Sequence, residues 1–331
     1  MASFAFYLYQ LTKSPNLFFV ERSDSQEVWY LHIPTGATFR TVLDTLKENR
    51  KIHDVTSFAF LAKLMKYQEQ VKPGRYRIKA NMSNMEALRM LRAGEQAPVK
   101  LQFNSIRFKE QLAARIGRQM EFGEEALLEA LGQPETAARY GFDTTTIVCM
   151  FLPNTYEFYW NTSLEKFLTK MHKEYQNFWT AERKQRAERI GLSPVEVITL
   201  ASIVQSETAK DDEKPRVAGV YLNRLAKGQL LQADPTVLFG LRDFSIKRVL
   251  NVHLEVDSPY NTYKYKGLPP GPIILPSVAS IEGVLNAERH DFYYFCAKED
   301  FSGYHNFAKT YQEHRQNAKL YYKALNARGI K

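Results

Sequence analysis

The stretch SPVEVITLASIVQSETAK, Ser193–Lys210, decides how the second half of the chain is read. Ser193, Pro194 and Glu196 form a strong helix start: an N-cap hydroxyl, a proline at the first helical position and a reciprocal acid three residues on. Leu200, Ile203, Val204 and Glu207 then follow at i, i+3, i+4 and i+7, so a carboxylate lies in line with the apolar stripe of a buried helix. Glu196 serves the cap and Gln205 points away from that stripe. Apolar surroundings disfavour a charged carboxylate, and so do the carbonyl dipoles of a helix C-terminus, placed near Thr208–Lys210. Both effects predict a raised pKa for Glu207, which suits a general acid near neutral pH. The alternatives are an ion pair with Arg216 or Arg224, or an early helix end that leaves the group solvated.

Outward from this helix, KDDEK (Lys210–Lys214) reads as a solvated loop. Pro215 opens a second helix that carries Asn223 and Arg224 and closes at Gly228. LLQADPTVLFG (Leu230–Gly240) contains a turn leading into a strand or helix. SPYNTYKYKGLPPGPI (Ser258–Ile273) sets Tyr260, Asn261, Thr262, Tyr263 and Tyr265 beside a stiff Pro/Gly loop. Tyrosine faces can stack on sugar rings and amides can bond hydroxyl or acetamido groups. Read as structure alone, the same loop is a surface crossover.

The first half has shorter periods. Val28–Ile33 (VWYLHI) reads as a strand. Thr38 caps a helix with Phe39, Val42, Leu43 and Leu46 on its apolar face, and a further helix is expected around Phe58–Tyr67. KPGRYRI (Lys72–Ile78) is a turn and a strand. Ser83 with Glu86 makes a capping box for a helix to Leu91, closed by Gly94, and Val99, Leu101 and Phe103 alternate as in a strand. Residues 105–140 read as helical. FLPNTYEFYW (Phe151–Trp160) reads as a loop running into a strand or helix start, and Thr162 with Glu165 forms another capping box. The fold class is therefore α+β: a small N-terminal unit followed by a larger mixed α/β domain. The expected divisions are a tail over 1–20, the small unit over 21–104 and the larger domain over 105–331.

Composition is that of an ordinary globular chain, with 44% hydrophobic and 24% charged residues among 331. Lys and Arg number 45 against 36 Asp and Glu, a formal charge of +9, which favours an anionic partner. No run of five or more Lys/Arg occurs, which argues against nucleic acid and leaves acidic lipid or a carboxylate-bearing polymer. Cys149 and Cys296 both sit in apolar contexts, which favours two buried free thiols; the alternative is a disulfide, which spacing does not reveal. No CxxC or HExxH pattern is present, so neither a metal site nor a cofactor is expected. Phe4–Leu11 is too short to span a bilayer, which takes about 20 residues. It lacks the basic start of a signal peptide. It reads either as a first strand or as the stub of a membrane anchor ending at Lys13.

Three segments, ASIVQSETAKDDEKPRVAGVYLNRLAKGQLLQADPTVLFG, SPYNTYKYKGLPPGPI and FYYFCAKEDFSGYHNFAKTYQEH, resemble the endolytic murein transglycosylase family in order and spacing. FLPNTYEF and KPGRYRI extend the resemblance over roughly residues 28–325. It implies cleavage of peptidoglycan strands by a single catalytic Glu followed by Thr, which falls on Glu207. The family often has a second Glu where this chain has Gln205. It also implies a LysM-like N-terminal unit, a single-pass anchor at the outer face of the bacterial plasma membrane and contact with penicillin-binding proteins. Candidate substrate-binding residues are Asn223, Arg224, Gln232, Asp234, Tyr260, Asn261 and Thr262, with Tyr156 and Glu157 as further cleft residues. His305 and His314 flank the last matched segment and read as structural histidines.

Three rival readings stand beside this one. A hydrolase of the same polymer would use Asp234 or Glu157 as a second carboxylate. A wall-binding scaffold would need no catalytic group. A pyridoxal phosphate lyase would need a buried Schiff-base lysine and a phosphate cup, and no glycine-rich phosphate motif is visible.

Overall fold

The computed structural model describes residue 6, residues 9–18 and residues 28–328, so residues 1–5, 7, 8, 19 and 20 of the tail over 1–20 lie outside the described residues. In chain order the elements of the first part are β1 (Pro15–Leu17), β2 (Val28–Ile33), α1 (Phe39–Glu48), α2 (Val55–Leu64), β3 (Gly74–Lys79), β4 (Met82–Ser83), α3 (Asn84–Ala93) and β5 (Val99–Gln102). Next come α4 (Lys109–Gly117), α5 (Gly123–Gly132), α6 (Pro134–Arg139), β6 (Thr155–Phe158), α7 (Leu164–Phe178) and α8 (Ala181–Arg189). The last part holds α9 (Pro194–Glu207), α10 (Lys214–Ala226), α11 (Asp234–Leu241), α12 (Val278–Leu285), β7 (Tyr294–Ala297), β8 (His305–Ala308) and α13 (Tyr311–Ala327). Helices dominate and the strands make two-stranded sheets among the described residues, an α+β fold.

The chain divides into two compact units, and the division is not linear. One holds Met1–Leu101, Ile116–Glu124 and Thr155–Phe167; the other holds Gln102–Arg115, Glu125–Asn154 and Leu168–Lys331. The sequence reading sets linear boundaries after residues 20 and 104. The chain instead returns to the first unit around β6, the strand that pairs with β5. That long-range pairing leaves no mark in local periodicity.

In the first unit β2 and β3 pair antiparallel, with Leu31 opposite Tyr76 and Trp29 opposite Ile78. Leu31 and Ile33 face in from β2, and Tyr76 and Ile78 from β3, as period-two alternation requires. Val42 and Leu46 of α1, Phe58 and Leu61 of α2, and Leu88 and Leu91 of α3 complete the core. α1 and α3 begin at the capping boxes of Thr38–Thr41 and Ser83–Glu86. α2 runs three residues earlier than its apolar residues suggest, because Asp54 caps it and left-handed Lys66 ends it before Tyr67. β1 joins this core through Leu17 and pairs with β4. Asn16 and Asn84 join side chains at 2.6 Å below it.

In the second unit α9 is the central element. Its cap is as read: Ser193 Oγ accepts from Glu196 N, and Glu196 Oε2 accepts from Ser193 N at 2.7 Å. Every residue from Val197 to Val204 is buried, so the middle of the helix is enclosed on all sides and not along one stripe. α8, α10, α11 and α12 pack around it. Gln205, off the Glu207 face, accepts hydrogen bonds from Ser277 N and Ser280 Oγ at the start of α12. The capping box read at Thr162 is displaced by one residue: α7 starts at Leu164 and Ser163 Oγ accepts from Lys166 N. No described helix is long and apolar enough to cross a membrane.

Candidate active site

The end of α9 opens onto a cavity of about 320 Å³ in the second unit. Glu207 is the last residue of the helix, and Thr208 leaves it in extended conformation. Around it stand Tyr221 and Arg224 of α10, Leu231, Gln232 and Asp234 at the entrance to α11, Tyr263, the β7 segment from Tyr294 to Ala297, His305 of β8, and Tyr311 and His314 of α13. The β7–β8 hairpin, with Ala297 opposite His305, thus forms one wall.

Glu207 keeps part of its surface open to the cavity while protein encloses its carboxyl. Burial pushes that carboxyl up to about 7; the Tyr221 hydroxyl, donating to Oε1 at 2.7 Å, pulls it down, and the charge of Asp234 adds to the rise. Oε2 has no hydrogen bond from the described residues. The alternative, an ion pair with Arg216 or Arg224, does not form. Arg216 binds Glu288 at 2.8 Å, and Arg224 donates to Gln232 Oε1 at 2.6 Å. Burial holds the Arg224 guanidinium below its usual range, and it lies 5.3 Å from the Tyr294 ring centre. Gln232 adopts a left-handed φ of 54°, a strained conformation for a non-glycine residue, which sets its amide against Arg224. Asp234 accepts from the Tyr263 hydroxyl at 2.5 Å.

The cavity therefore gathers Glu207, Arg224, Gln232 and Asp234 from the sequence candidates. The others lie elsewhere. Asn261 is fully buried, its amide donating to Leu254 O and Val256 O at 2.8 Å, so it shapes its own loop. Thr262 is buried against Thr236, and its Oγ1 accepts from Ala233 N at 3.0 Å. Asn223 Nδ2 donates to His290 O and Phe292 O, fastening the segment before β7. Tyr260 packs on Phe239 at 4.5 Å and lines a separate cavity. Tyr156 is buried in the first unit, and Glu157 lies 3.6 Å from Lys100 there. The KDDEK loop is only partly solvated: Glu213 and Lys214 are buried. Cys149 is a buried free thiol, whereas the free Cys296 is on the cavity wall.

Residues 31–320 match the sequence model of the YceG-like family. The chain belongs to the YceG-like family. An endolytic murein transglycosylase of Bacillus subtilis is 28% identical over 319 residues, covering 92% of this chain and 87% of its own length. One of Streptococcus pneumoniae serotype 2 is 26% identical over 334 residues, covering 89% of this chain; the match spans 58% of that longer protein. The crystal structure of a YceG-like protein from Listeria monocytogenes is 29% identical, with a TM-score of 0.58 over 88% of this chain and 99% of the other.

In this YceG-like chain Tyr221, Tyr294, Phe295, Tyr311, His305 and His314 are cavity residues that the sequence candidates omit as substrate contacts. Tyr221 had a legible signal. It stands four residues after Val217 and three before Arg224, where α10 passes from core to cavity. The β7, β8 and α13 residues have no such signal, because a distant hairpin brings them in.

Proposed function

We propose that the chain is a murein lytic transglycosylase that cleaves the β-1,4 bond between N-acetylmuramic acid and N-acetylglucosamine inside a glycan strand. The supporting observation is one cavity carboxyl, Glu207, held up to about 7 with one oxygen bonded to Tyr221 and the other unbonded. The protonated carboxyl gives its proton to the glycosidic oxygen. The C1–O bond breaks and its electron pair stays with the leaving sugar. Positive charge at C1 is shared by the substrate's own acetamido oxygen. The Glu207 carboxylate then takes the proton of the C6 hydroxyl, whose oxygen closes on C1. The product is a 1,6-anhydro end, and Glu207 is again protonated with no water consumed. Because the nucleophile belongs to the substrate, one carboxyl serves as acid and then base, a substrate-assisted scheme.

Arg224, with Gln232 fixed against it, supplies positive charge suited to the lactyl and peptide carboxylates of murein. Asp234, lining the same cavity, is assigned the role of favouring positive charge at the anomeric centre. The same placement supports a second reading, hydrolysis with Asp234 as the other carboxylate. Glu157, the other second-carboxylate candidate, lies in the first unit.

The first unit is proposed as a LysM-like glycan-binding module, supported by its β2–α1–α2–β3 order with antiparallel ends. Penicillin-binding proteins as partners, and work at the outer face of the plasma membrane, are proposed from the resemblance and the polymer.

Mass spectrometry of purified peptidoglycan treated with wild type and with Glu207→Gln tests the proposal. Anhydro ends from the wild type alone are expected. Reducing ends would transfer the chain to the hydrolases, and equal behaviour of the two proteins would leave a wall-binding scaffold.

A further inference from the structure

Glu213 precedes α10 and takes no part in the scheme above. Only 6% of its surface is exposed, yet Asp211 and Asp212 of the same loop remain in water. A buried carboxylate is costly unless donors meet it. Here three do: Thr208 Oγ1 reaches Oε2 at 3.2 Å, His305 N reaches Oε1 at 2.8 Å, and His305 Nδ1 meets Oε2 at 2.6 Å. The backbone bond alone would fasten β8 to this loop, whatever side chain stood at 305. The ring bond does something else. It fixes the rotation of the imidazole and consumes Nδ1, leaving Nε2 as the ring's one free polar atom.

His305 lines the Glu207 cavity, and its Nε2 has no partner among the described residues and is not sealed from solvent. The ring meets Phe295 edge-on at 5.3 Å, and Phe295 meets Tyr221 edge-on at 5.8 Å, so an aromatic chain links the imidazole to the residue bonded to Glu207. A neutral imidazole that donates Nδ1–H to a carboxylate offers a lone pair at Nε2. We propose that His305 contacts the glycan, held by Glu213 so that Nε2 accepts a hydrogen bond from an acetamido N–H or hydroxyl of the bound sugar. This rests on the reading of the cavity as a glycan site. Glu213 is a positioning residue that acts through the ring.

The test uses isosteres. An Asn amide at 305 occupies the Nδ1 place and keeps the bond to Glu213 while presenting nothing at Nε2; a Gln amide reaches the Nε2 place. Binding of soluble peptidoglycan glycan fragments is measured by calorimetry in the Glu207→Gln background, and kcat and KM with Glu207 intact. His305→Asn is expected to fold normally and bind about tenfold more weakly, the loss of one hydrogen bond, and His305→Gln to recover most of that loss. Adding Glu213→Gln to His305→Asn should weaken binding no further. Unchanged binding by His305→Asn, or Gln no better than Asn, overturns the proposal, and an additive loss overturns the positioning role of Glu213. If the wild type binds glycan without cleaving it and His305→Asn still weakens binding, the cleavage reading falls and this contact stands. If the wild type binds no glycan, both fall.

Discussion

α9 ends on one enclosed carboxylate and α10 begins just after another, and the chain treats them in opposite ways. Glu213 receives three donors and both of its oxygens are bonded. Glu207 receives one, from Tyr221, and burial wins over that bond, pushing the carboxyl up to about 7. Both side chains are enclosed, and they differ in the number of donors that meet them. A fully bonded carboxylate is a fastening. An under-bonded one is a proton carrier. Substitutions at the two positions can break this contrast.

The largest effect is expected from Glu207→Gln. The amide keeps the shape and still accepts from Tyr221, but it carries no transferable proton. Glycan cleavage should fall about a thousandfold, within the range for loss of a general acid–base, with the fold unchanged. Chromatographic counting of anhydro ends reads this directly. Residual activity near the wild-type level would place the proton on another group.

Glu213→Ala should leave the chemistry formally available and damage the structure instead. The Thr208 hydroxyl and two His305 donors would lose their acceptor in a buried site, at a cost of about 3 kcal/mol. Chemical denaturation measures it, and a loss near zero would mean that water enters and replaces the carboxylate.

The same contrast predicts how stability varies with pH. The Glu207 carboxyl titrates near 4.5 unfolded and about 7 folded, so between those values the folded protein holds more protons. Its contribution is intact below 4.5 and is lost as pH rises through about 7. Glu207→Gln removes that loss. The variant should match the wild type in acid and exceed it by about 2 kcal/mol above pH 8, allowing for the partial exposure of the group. Denaturant melts at pH 4, 6 and 8 would show the two curves diverging; parallel curves would mean that Glu207 is not held in its neutral form.

These two carboxylates also mark what the sequence could disclose. Glu207 was legible because its helix announces itself locally, through a capping box, a proline and apolar residues at helical spacing. Glu213 was not. KDDEK has the composition of a solvated loop, and the histidine that buries its glutamate lies on β8, far along the chain. Asn261 and Thr262 misled in the other direction. Amides and hydroxyls in a Pro/Gly loop suit sugar contact, but here the Asn261 amide donates to the nearby backbone at Leu254 and Val256, and the Thr262 hydroxyl accepts from Ala233 N at the entrance to α11. The α+β class and most helix starts came from local pattern, whereas the return of residues 116–124 and 155–167 to the first unit came from pairing that no local pattern encodes.

The smallest effect separates the two influences that act on Glu207 besides burial. Tyr221 donates to the charged form, so Tyr221→Phe should raise the carboxyl further and move the alkaline limb of the pH–kcat profile upward. Asp234 repels that charged form, so Asp234→Asn should move the limb downward, while the asparagine oxygen still accepts from Tyr263. Each displacement should be about half a pH unit, the scale of one partly screened neighbour. Opposite directions are the essential feature, because both side chains line the same cavity and a general loss of activity would tell nothing. If both limbs moved the same way, or neither moved, the group that titrates in turnover would not be the carboxyl at the end of α9.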